Sequence, residues 1–148
     1  MKALIINGPN LNKLGQRNKY QYGTKTLEDI YQLIIDSFES IEFDFYQSNH
    51  EGSIIDLLQN LDNYDFVVIN PGGLAHTSVI LRDAFELVSI PKGVCHLSDI
   101  QSREYFRRVD YLKPLADCYI SGLKEQSYIK VIEELIKLCS SKKLLIKY

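Results

Sequence analysis

The three histidines of the chain are candidates for acid–base chemistry. His50, His76 and His96 each stand in or soon after a short apolar run of the kind that forms a buried strand. An imidazole can give or take a proton near neutral pH, and a turn has no special need for one. The Asn, Ser, Gly and Pro residues around them are ordinary turn formers. The alternative to a functional site is therefore that these segments are plain structural loops. A zinc-dependent hydrolase site built from the three is a weaker alternative, because they lack helical His-x-x-x-His spacing.

A second candidate group lies in the stretch Gly8–Lys25, which is long for a connection between a strand and a helix. It carries Arg17, Tyr20 and Tyr22, with Gly23 as a candidate hinge. A guanidinium held next to a phenol stabilises the phenolate and so makes the phenol a better base. Stretches of this length serve as lids over a site or pack as plain surface loops, and the residues alone leave both interpretations open.

Five short apolar runs predict the strands that position these groups. They are Lys2–Ile6, Ile41–Tyr46, Phe66–Ile69, Gly93–Leu97 and Cys118–Ile120. Between them, apolar residues recur at spacings of three and four, which predicts helices, and Thr26 is the N-cap candidate of the first. The predicted inward faces are Leu27, Ile30, Ile34 and Phe38; Ile54, Leu58 and Leu61; Ile80, Ala84 and Val88; and Tyr128, Ile132, Leu135 and Cys139, with a weaker helical piece at Ser102–Arg108.

The alternation of strands and helices favours one α/β domain over residues 1–148, with a parallel sheet between two layers of helices. Five strands in a chain of 148 residues indicate the doubly wound, flavodoxin-like order 2-1-3-4-5, although several doubly wound orders fit the same pattern. Ligands of such sheets bind beyond the carboxyl ends of the strands, which is where the histidines stand.

Composition and missing motifs argue against several classes of function. The formal net charge is −2, which leaves no excess of positive charge for nucleic acid or a membrane surface. The chain has neither Gly-x-Gly-x-x-Gly nor a Walker A motif. The three cysteines, Cys95, Cys118 and Cys139, are odd in number and lack Cys-x-x-Cys spacing, which favours reduced thiols in a cytoplasmic protein. No apolar stretch is long enough for a signal peptide or a bilayer crossing.

Short blocks of residues form an ordered pattern along nearly the whole chain. They are Asn7-Gly8-Pro9-Asn10-Leu11-Asn12, Leu14-Gly15-Gln16-Arg17, Tyr22-Gly23, Gln47-Ser48-Asn49-His50-Glu51-Gly52, Ile69-Asn70-Pro71-Gly72, His76-Thr77-Ser78-Val79, Leu81-Arg82-Asp83-Ala84, and His96-Leu97-Ser98 with Arg103-Glu104 and Phe106-Arg107. In this order they resemble the type II 3-dehydroquinate dehydratase family. That family removes water from 3-dehydroquinate to give 3-dehydroshikimate, a step of the shikimate pathway of aromatic amino acid biosynthesis or of quinate breakdown.

The resemblance implies a catalytic set. Tyr22, as tyrosinate, would take a proton from the carbon next to the substrate ketone. Arg17 would favour the phenolate, with Arg103 assisting. Asn12 would stabilise the resulting enolate directly or through a water, and His96 would protonate the departing hydroxyl as the general acid.

The resemblance also implies binding residues and an assembly. The residues that would hold the substrate hydroxyls and carboxylate are Asn70, His76, Arg107, Leu97 and Ser98. Asp83 would reach into the site of a neighbouring subunit, so trimers stacked into a homododecamer are the expected assembly. Neither a cofactor nor a metal is implied, because the ketone itself acidifies the proton.

Several positions depart from the family pattern. The family pairs its acid histidine with a glutamate two residues earlier, and Val94 stands there. An imidazole without that partner would be held less firmly and would favour its charged form less. The other departures are Asp99, Leu74-Ala75, Asn18-Lys19, Lys124 and Ser127. The two leading hypotheses are therefore an active but slower dehydratase and a non-catalytic relative that binds the same acid or serves as a scaffold.

Overall fold

The apolar runs of the chain form a five-stranded parallel sheet in the computed structural model, which describes residues 1–145. The strands are β1 (Lys2–Asn7), β2 (Glu42–Gln47), β3 (Phe66–Asn70), β4 (Lys92–His96) and β5 (Cys118–Ser121). Their order is β2-β1-β3-β4-β5, so the predicted doubly wound order 2-1-3-4-5 is confirmed. Each strand begins and ends within one residue of its predicted bounds.

Helices cover both faces of the sheet. They are α1 (Lys19–Tyr22), α2 (Leu27–Ser37), α3 (Glu51–Leu58), α4 (Val79–Glu86) and α5 (Gln126–Leu145). The predicted start of α2 is confirmed: the Thr26 hydroxyl accepts from the Asp29 backbone N–H at 3.1 Å, and the Asp29 carboxylate accepts from the Thr26 N–H at 2.9 Å. This reciprocal pair satisfies two of the donors that the first turn of a helix leaves without partners.

Alternate residues of the central strands enter two separate cores, because successive side chains of a strand point to opposite faces. On one face, Ile5 and Val68 pack with α2 and α5. On the other face, Ile6 and Val94 pack with α3 and α4. The predicted inward face of α5 is confirmed, since its four members are buried: Tyr128, Ile132, Leu135 and Cys139.

The structure corrects two local predictions. The buried face of α4 is Leu81, Ala84 and Phe85, and Val88 is buried just after the helix, whereas Ile80, predicted to point inward, is 56% exposed. The helical piece predicted at Ser102–Arg108 is instead two separate 3-10 turns, Ile100–Ser102 and Tyr105–Arg107. The extended backbone of Arg103 separates the two turns and prevents one continuous helix.

The three cysteines are free thiols, and burial raises the pKa of Cys95 well above its usual value. None of the helices within residues 1–145 combines the length and the apolar character needed to cross a membrane.

Candidate active site

A cavity of about 130 Å³ lies beyond the carboxyl ends of β1, β3 and β4. The loops after β1 and β3 meet there: the Gly8 N–H donates to the Asn70 carbonyl at 2.8 Å. A Cβ on Gly8 would lie 2.4 Å from the Pro71 oxygen, so only glycine permits this approach. The meeting of the two loops brings residues of the stretch Gly8–Lys25 to the same cavity as the ends of β3 and β4.

Tyr22 stands in the cavity with two guanidinium groups on its hydroxyl oxygen. Arg17 Nη2 donates to that oxygen at 2.8 Å and Arg103 Nη1 donates at 2.5 Å. The Arg17 Cζ also lies 3.8 Å from the centre of the Tyr22 ring. Two charged donors on one phenol oxygen stabilise the phenolate over the phenol.

A single helical turn, α1, presents Tyr22 to these cations. The Asn18 side chain caps the turn by accepting from the Tyr20 and Gln21 backbone N–H groups at 3.0 and 3.3 Å. Gly23 ends the turn with a φ of +79°, a left-handed value that favours glycine. Asn18, one of the departures from the family pattern, therefore has a local structural role as an N-cap.

The cavity carries a concentration of positive charge. Arg17, Arg103 and Arg107 line it, and within the part of the chain that the structure describes no Asp or Glu joins them in the lining. Burial lowers the pKa of Arg17, and the neighbouring charges of Arg103 and Arg107 lower it further, against the opposing effect of Tyr22. A guanidinium nevertheless stays charged in proteins, so the cavity suits an anionic ligand.

The two histidines of the cavity are held in fixed tautomers. His76 Nδ1 lies 2.7 Å from the Val109 carbonyl oxygen, and His96 Nε2 lies 2.6 Å from Asp110 Oδ2. A carbonyl and a carboxylate only accept, so each of these nitrogens carries the hydrogen. The remaining nitrogens, His76 Nε2 and His96 Nδ1, are left for a ligand. The rings lie nearly parallel, with their centres 6.3 Å apart.

Asp110 is the carboxylate partner of His96, and no sequence motif pointed to this residue. Burial alone would raise the pKa of Asp110, but the hydrogen bond and charge of His96, the Leu112 N–H and the Tyr119 hydroxyl together lower it below its usual value. Val94, the position where the family keeps its glutamate, is buried and apolar. The missing acid at Val94 was the only sequence signal that a carboxylate had to be sought elsewhere.

A buried hydrogen-bond network with Tyr128 of α5 and Asn7 of β1 holds Asn70 in place. The Asn70 Nδ2 donates to the Tyr128 hydroxyl at 2.9 Å, and that hydroxyl donates to Asn7 Oδ1 at 2.5 Å. The Gly72 N–H donates to Asn70 Oδ1 at 3.2 Å. Burial raises the pKa of Tyr128 far above its usual value, so it remains a donor to Asn7. One amide hydrogen and one lone pair of Asn70 remain for a ligand.

Most of the site residues predicted from the sequence line this one cavity. They are Arg17, Tyr22, Asn70, His76, His96, Leu97, Ser98 and Arg107. Asn12 and Asp83 do not, and both are exposed. Asn10 lines the cavity in place of Asn12, because residues two apart in the 3-10 turn Leu11–Lys13 and its cap point to different sides.

The structure does not bring the three histidines together. His50 follows β2 at the edge of the sheet, three strand spacings or roughly 14 Å from β4. It is not among the residues that line the cavity. Across residues 1–145, no three His, Cys, Asp or Glu side chains are grouped so that they could hold a metal ion. The zinc site built from the three histidines, which the sequence left as an alternative, therefore has no geometric basis.

Comparisons with known proteins match this chain to dehydroquinases over most of its length. The family described as dehydroquinase class II matches residues 1–136. The 3-dehydroquinate dehydratase of Thermotoga neapolitana is 45% identical over 142 residues, which cover 95% of this chain and 97% of the relative. That of Fusobacterium nucleatum is 43% identical over 143 residues, covering 93% and 97%. The solved type II dehydroquinase of Butyrivibrio crossotus superposes with a TM-score of 0.88 at 43% identity, covering 91% and 97%.

Proposed function

The chain belongs to the class II dehydroquinase family, and we propose that Tyr22 and His96 are the base and the acid with which it removes water from 3-dehydroquinate. The family relation makes it an enzyme of that dehydration. One observation carries the assignment of roles: the Tyr22 hydroxyl accepts from two guanidinium groups inside a cavity that also holds His96. These two cations stabilise a phenolate, whereas a tyrosine in water has no such neighbours.

The first step is removal of a proton from the carbon beside the ketone. The Tyr22 oxygen takes the proton, and the electron pair of the broken C–H bond moves into an enolate whose charge rests on the former ketone oxygen. The phenol formed keeps its two hydrogen bonds to Arg17 and Arg103. Asn10, which lines the cavity, supplies a neutral donor for the enolate oxygen.

The second step is loss of the hydroxyl that stands beta to the ketone. The enolate electrons restore the ketone and form the new C=C bond, and the hydroxyl leaves as water with a proton from His96 Nδ1. The net change is one water lost. Tyr22 then holds the extra proton and His96 lacks one, and exchange with solvent restores both.

Substrate orientation falls to the remaining cavity residues. His76 Nε2, the ring nitrogen not engaged by Val109, accepts from a substrate hydroxyl, while Asn70 and Arg107 bind the other hydroxyls. Ser98 and the backbone at Leu97 take the carboxylate, next to the charge of Arg103. The positive cavity supports the binding of an anionic, polyhydroxylated ring.

The role of enolate donor distinguishes Asn10 from Asn12. We expect Asn10→Ala to lower kcat about 10²-fold, the size of effect seen when one donor to a developing oxyanion is removed. Asn12→Ala serves as the matched control, because Asn12 is exposed and outside the cavity. Steady-state kinetics of both variants test this. The reverse ranking would return the role to Asn12.

The proposed function is tested by incubating the purified chain, treated with a chelator, with 3-dehydroquinate and following enone absorbance. We expect product formation that does not respond to added metal. Calorimetric binding of the substrate with no turnover at high enzyme concentration would favour the non-catalytic relative that Val94 suggested.

We also infer that the chain assembles into trimers stacked as dodecamers, in which Asp83 meets the cavity of a neighbouring copy. Asp83 is exposed on α4 and absent from its own cavity. Val79 and Ile80 beside it are 57% and 56% exposed, which gives α4 an apolar outer surface. Sedimentation analysis should return a multiple of three times 17.1 kDa, and a monomer would contradict this assembly.

A further inference from the structure

The carboxylate of Asp110 is committed to one imidazole. Its side chain has no exposed surface, its Oδ2 accepts from His96 Nε2 at 2.6 Å, and its Oδ1 accepts from the Leu112 N–H at 2.8 Å. A buried carboxylate without partners destabilises the folded state. The hydrogen bond from His96 therefore stabilises the buried Asp110 as well as orienting the imidazole. The pair lies directly behind the cavity, because His96 is one of its lining residues.

We propose that Asp110 is the positioning residue of His96, which holds the orientation of the ring and keeps a hydrogen on Nε2, as the acid step requires. This inference rests on the proposed function, in which His96 donates a proton to the leaving hydroxyl. Because Asp110 binds the hydrogen on Nε2, the other nitrogen, Nδ1, is the one that faces the reaction.

The segment 109–112 holds both cavity histidines at once. The Val109 carbonyl accepts from His76, and the Tyr111 N–H donates to the Ala75 carbonyl at 2.8 Å. The segment is therefore fastened to the loop after β3 as well as to β4. Its last residue, Leu112, is fully buried in the core below. An acid placed on this segment has a fixed position, although the segment has no regular secondary structure around Asp110.

Tyr119 on β5 reinforces the charge of Asp110. Its ring lies 5.8 Å from the His96 ring, centre to centre, and its hydroxyl is buried near the carboxylate. Burial and the nearby Asp110 raise the pKa of Tyr119 strongly, so its hydroxyl keeps its proton next to the carboxylate. The carboxylate of Asp110 thus stays ionised while it is shielded from water.

The first test is Asp110→Asn, which keeps the shape and removes the charge. We expect kcat to fall about 10- to 100-fold, the usual effect of removing a partner that orients a functional imidazole. KM should stay within about threefold, since Asp110 touches no substrate. Asp56→Asn on the exposed side of α3 is the matched control, with the same change of charge and no expected effect. A folded Asp110→Asn variant with turnover close to that of the parent would overturn the proposal.

The second test moves the carboxylate. Residues 94 and 96 project from the same face of β4, about 6.6 Å apart along the strand. A Glu side chain at position 94 can span that distance to the imidazole. Asp110→Ser frees space and leaves a hydroxyl that can accept from Leu112. We expect Val94→Glu in the Asp110→Ser background to restore turnover at least about tenfold over Asp110→Ser alone. Folded variants without such recovery would contradict the positioning role.

A third measurement does not depend on turnover. In ¹⁵N-labelled protein, the Nε2–H proton of His96 should resonate far downfield and be protected from exchange, and Asp110→Asn should move that signal upfield, because an amide oxygen is a weaker acceptor than a carboxylate. If the parent chain failed to dehydrate 3-dehydroquinate, the proposed function would be refuted. The resonance would still show whether His96 and Asp110 form a hydrogen-bonded pair. If the parent showed no such signal, the pair itself would be refuted.

Discussion

Replacing Tyr22 with Phe should lower the turnover of 3-dehydroquinate by about 10³- to 10⁴-fold, near the upper end of what general acid–base groups contribute. The change deletes one oxygen atom and leaves the ring, which stacks on Arg17 with its Cζ 3.8 Å from the ring centre. Without that oxygen, the cavity lacks the group assigned to take the proton from the carbon beside the ketone. The measurement is kcat from enone absorbance.

A loss of base chemistry must be separated from a loss of binding. Substrate affinity, measured by calorimetry, should change little in Tyr22→Phe, because the assigned hydroxyl and carboxylate ligands are untouched. Tyr20→Phe is the matched control: Tyr20 lies on the same short helix α1, is 89% exposed, and should keep parental turnover. Retained turnover in Tyr22→Phe would remove the tyrosine from its role as base.

The fold was predictable because each strand carries its signal in a contiguous apolar run. β3 and β4 are buried at every position, as expected for central strands of a parallel sheet covered on both faces. Of the face predicted for α4, Ala84 and Val88 are buried and only Ile80 was wrong, because both Ile80 and Leu81 are apolar and spacing alone cannot choose between them. The Ser78 cap and the packing of Phe85 select the Leu81 side.

The cavity was predictable where its residues follow strands, since parallel topology brings carboxyl ends to one edge of the sheet. His96, Ser98 and Asn70 belong to that class. Asn10 was missed because its neighbour Asn12 belongs to the same block, and only the turn geometry determines which of the two lines the cavity. Asp110 was missed for a different reason: its segment returns to β4 through long-range contacts that no local pattern encodes.

At two departures from the family pattern, the structure shows contacts that the sequence did not reveal. Val94 suggested a weakened histidine, yet His96 has a buried carboxylate partner at 2.6 Å. Asn18 replaced a residue of the family's lid, yet it caps the helix that carries Tyr22. A position that loses a familiar residue therefore indicates loss of function only if no other residue supplies the same interaction.

Arg103→Met should lower turnover about 10²- to 10³-fold, because a cation about 4 Å from an anion contributes roughly 4 kcal/mol at the effective dielectric near a protein surface. The Arg103 side chain is 9% exposed, and its Nη1 lies 2.5 Å from the Tyr22 oxygen. Arg17 makes the longer contact with the same oxygen, at 2.8 Å. We therefore expect Arg17→Met to cost less than Arg103→Met.

The separate changes in kcat and KM distinguish this electrostatic role from a role in substrate binding. With one cation removed, Tyr22 loses a charged hydrogen-bond donor while the assigned hydroxyl ligands remain, so kcat should fall and KM should change little. Arg108→Met, an equal change of charge at an exposed residue outside the cavity, should leave both parameters unchanged. A rise in KM with an unchanged kcat in Arg103→Met would mean that Arg103 orients the substrate rather than stabilising the phenolate.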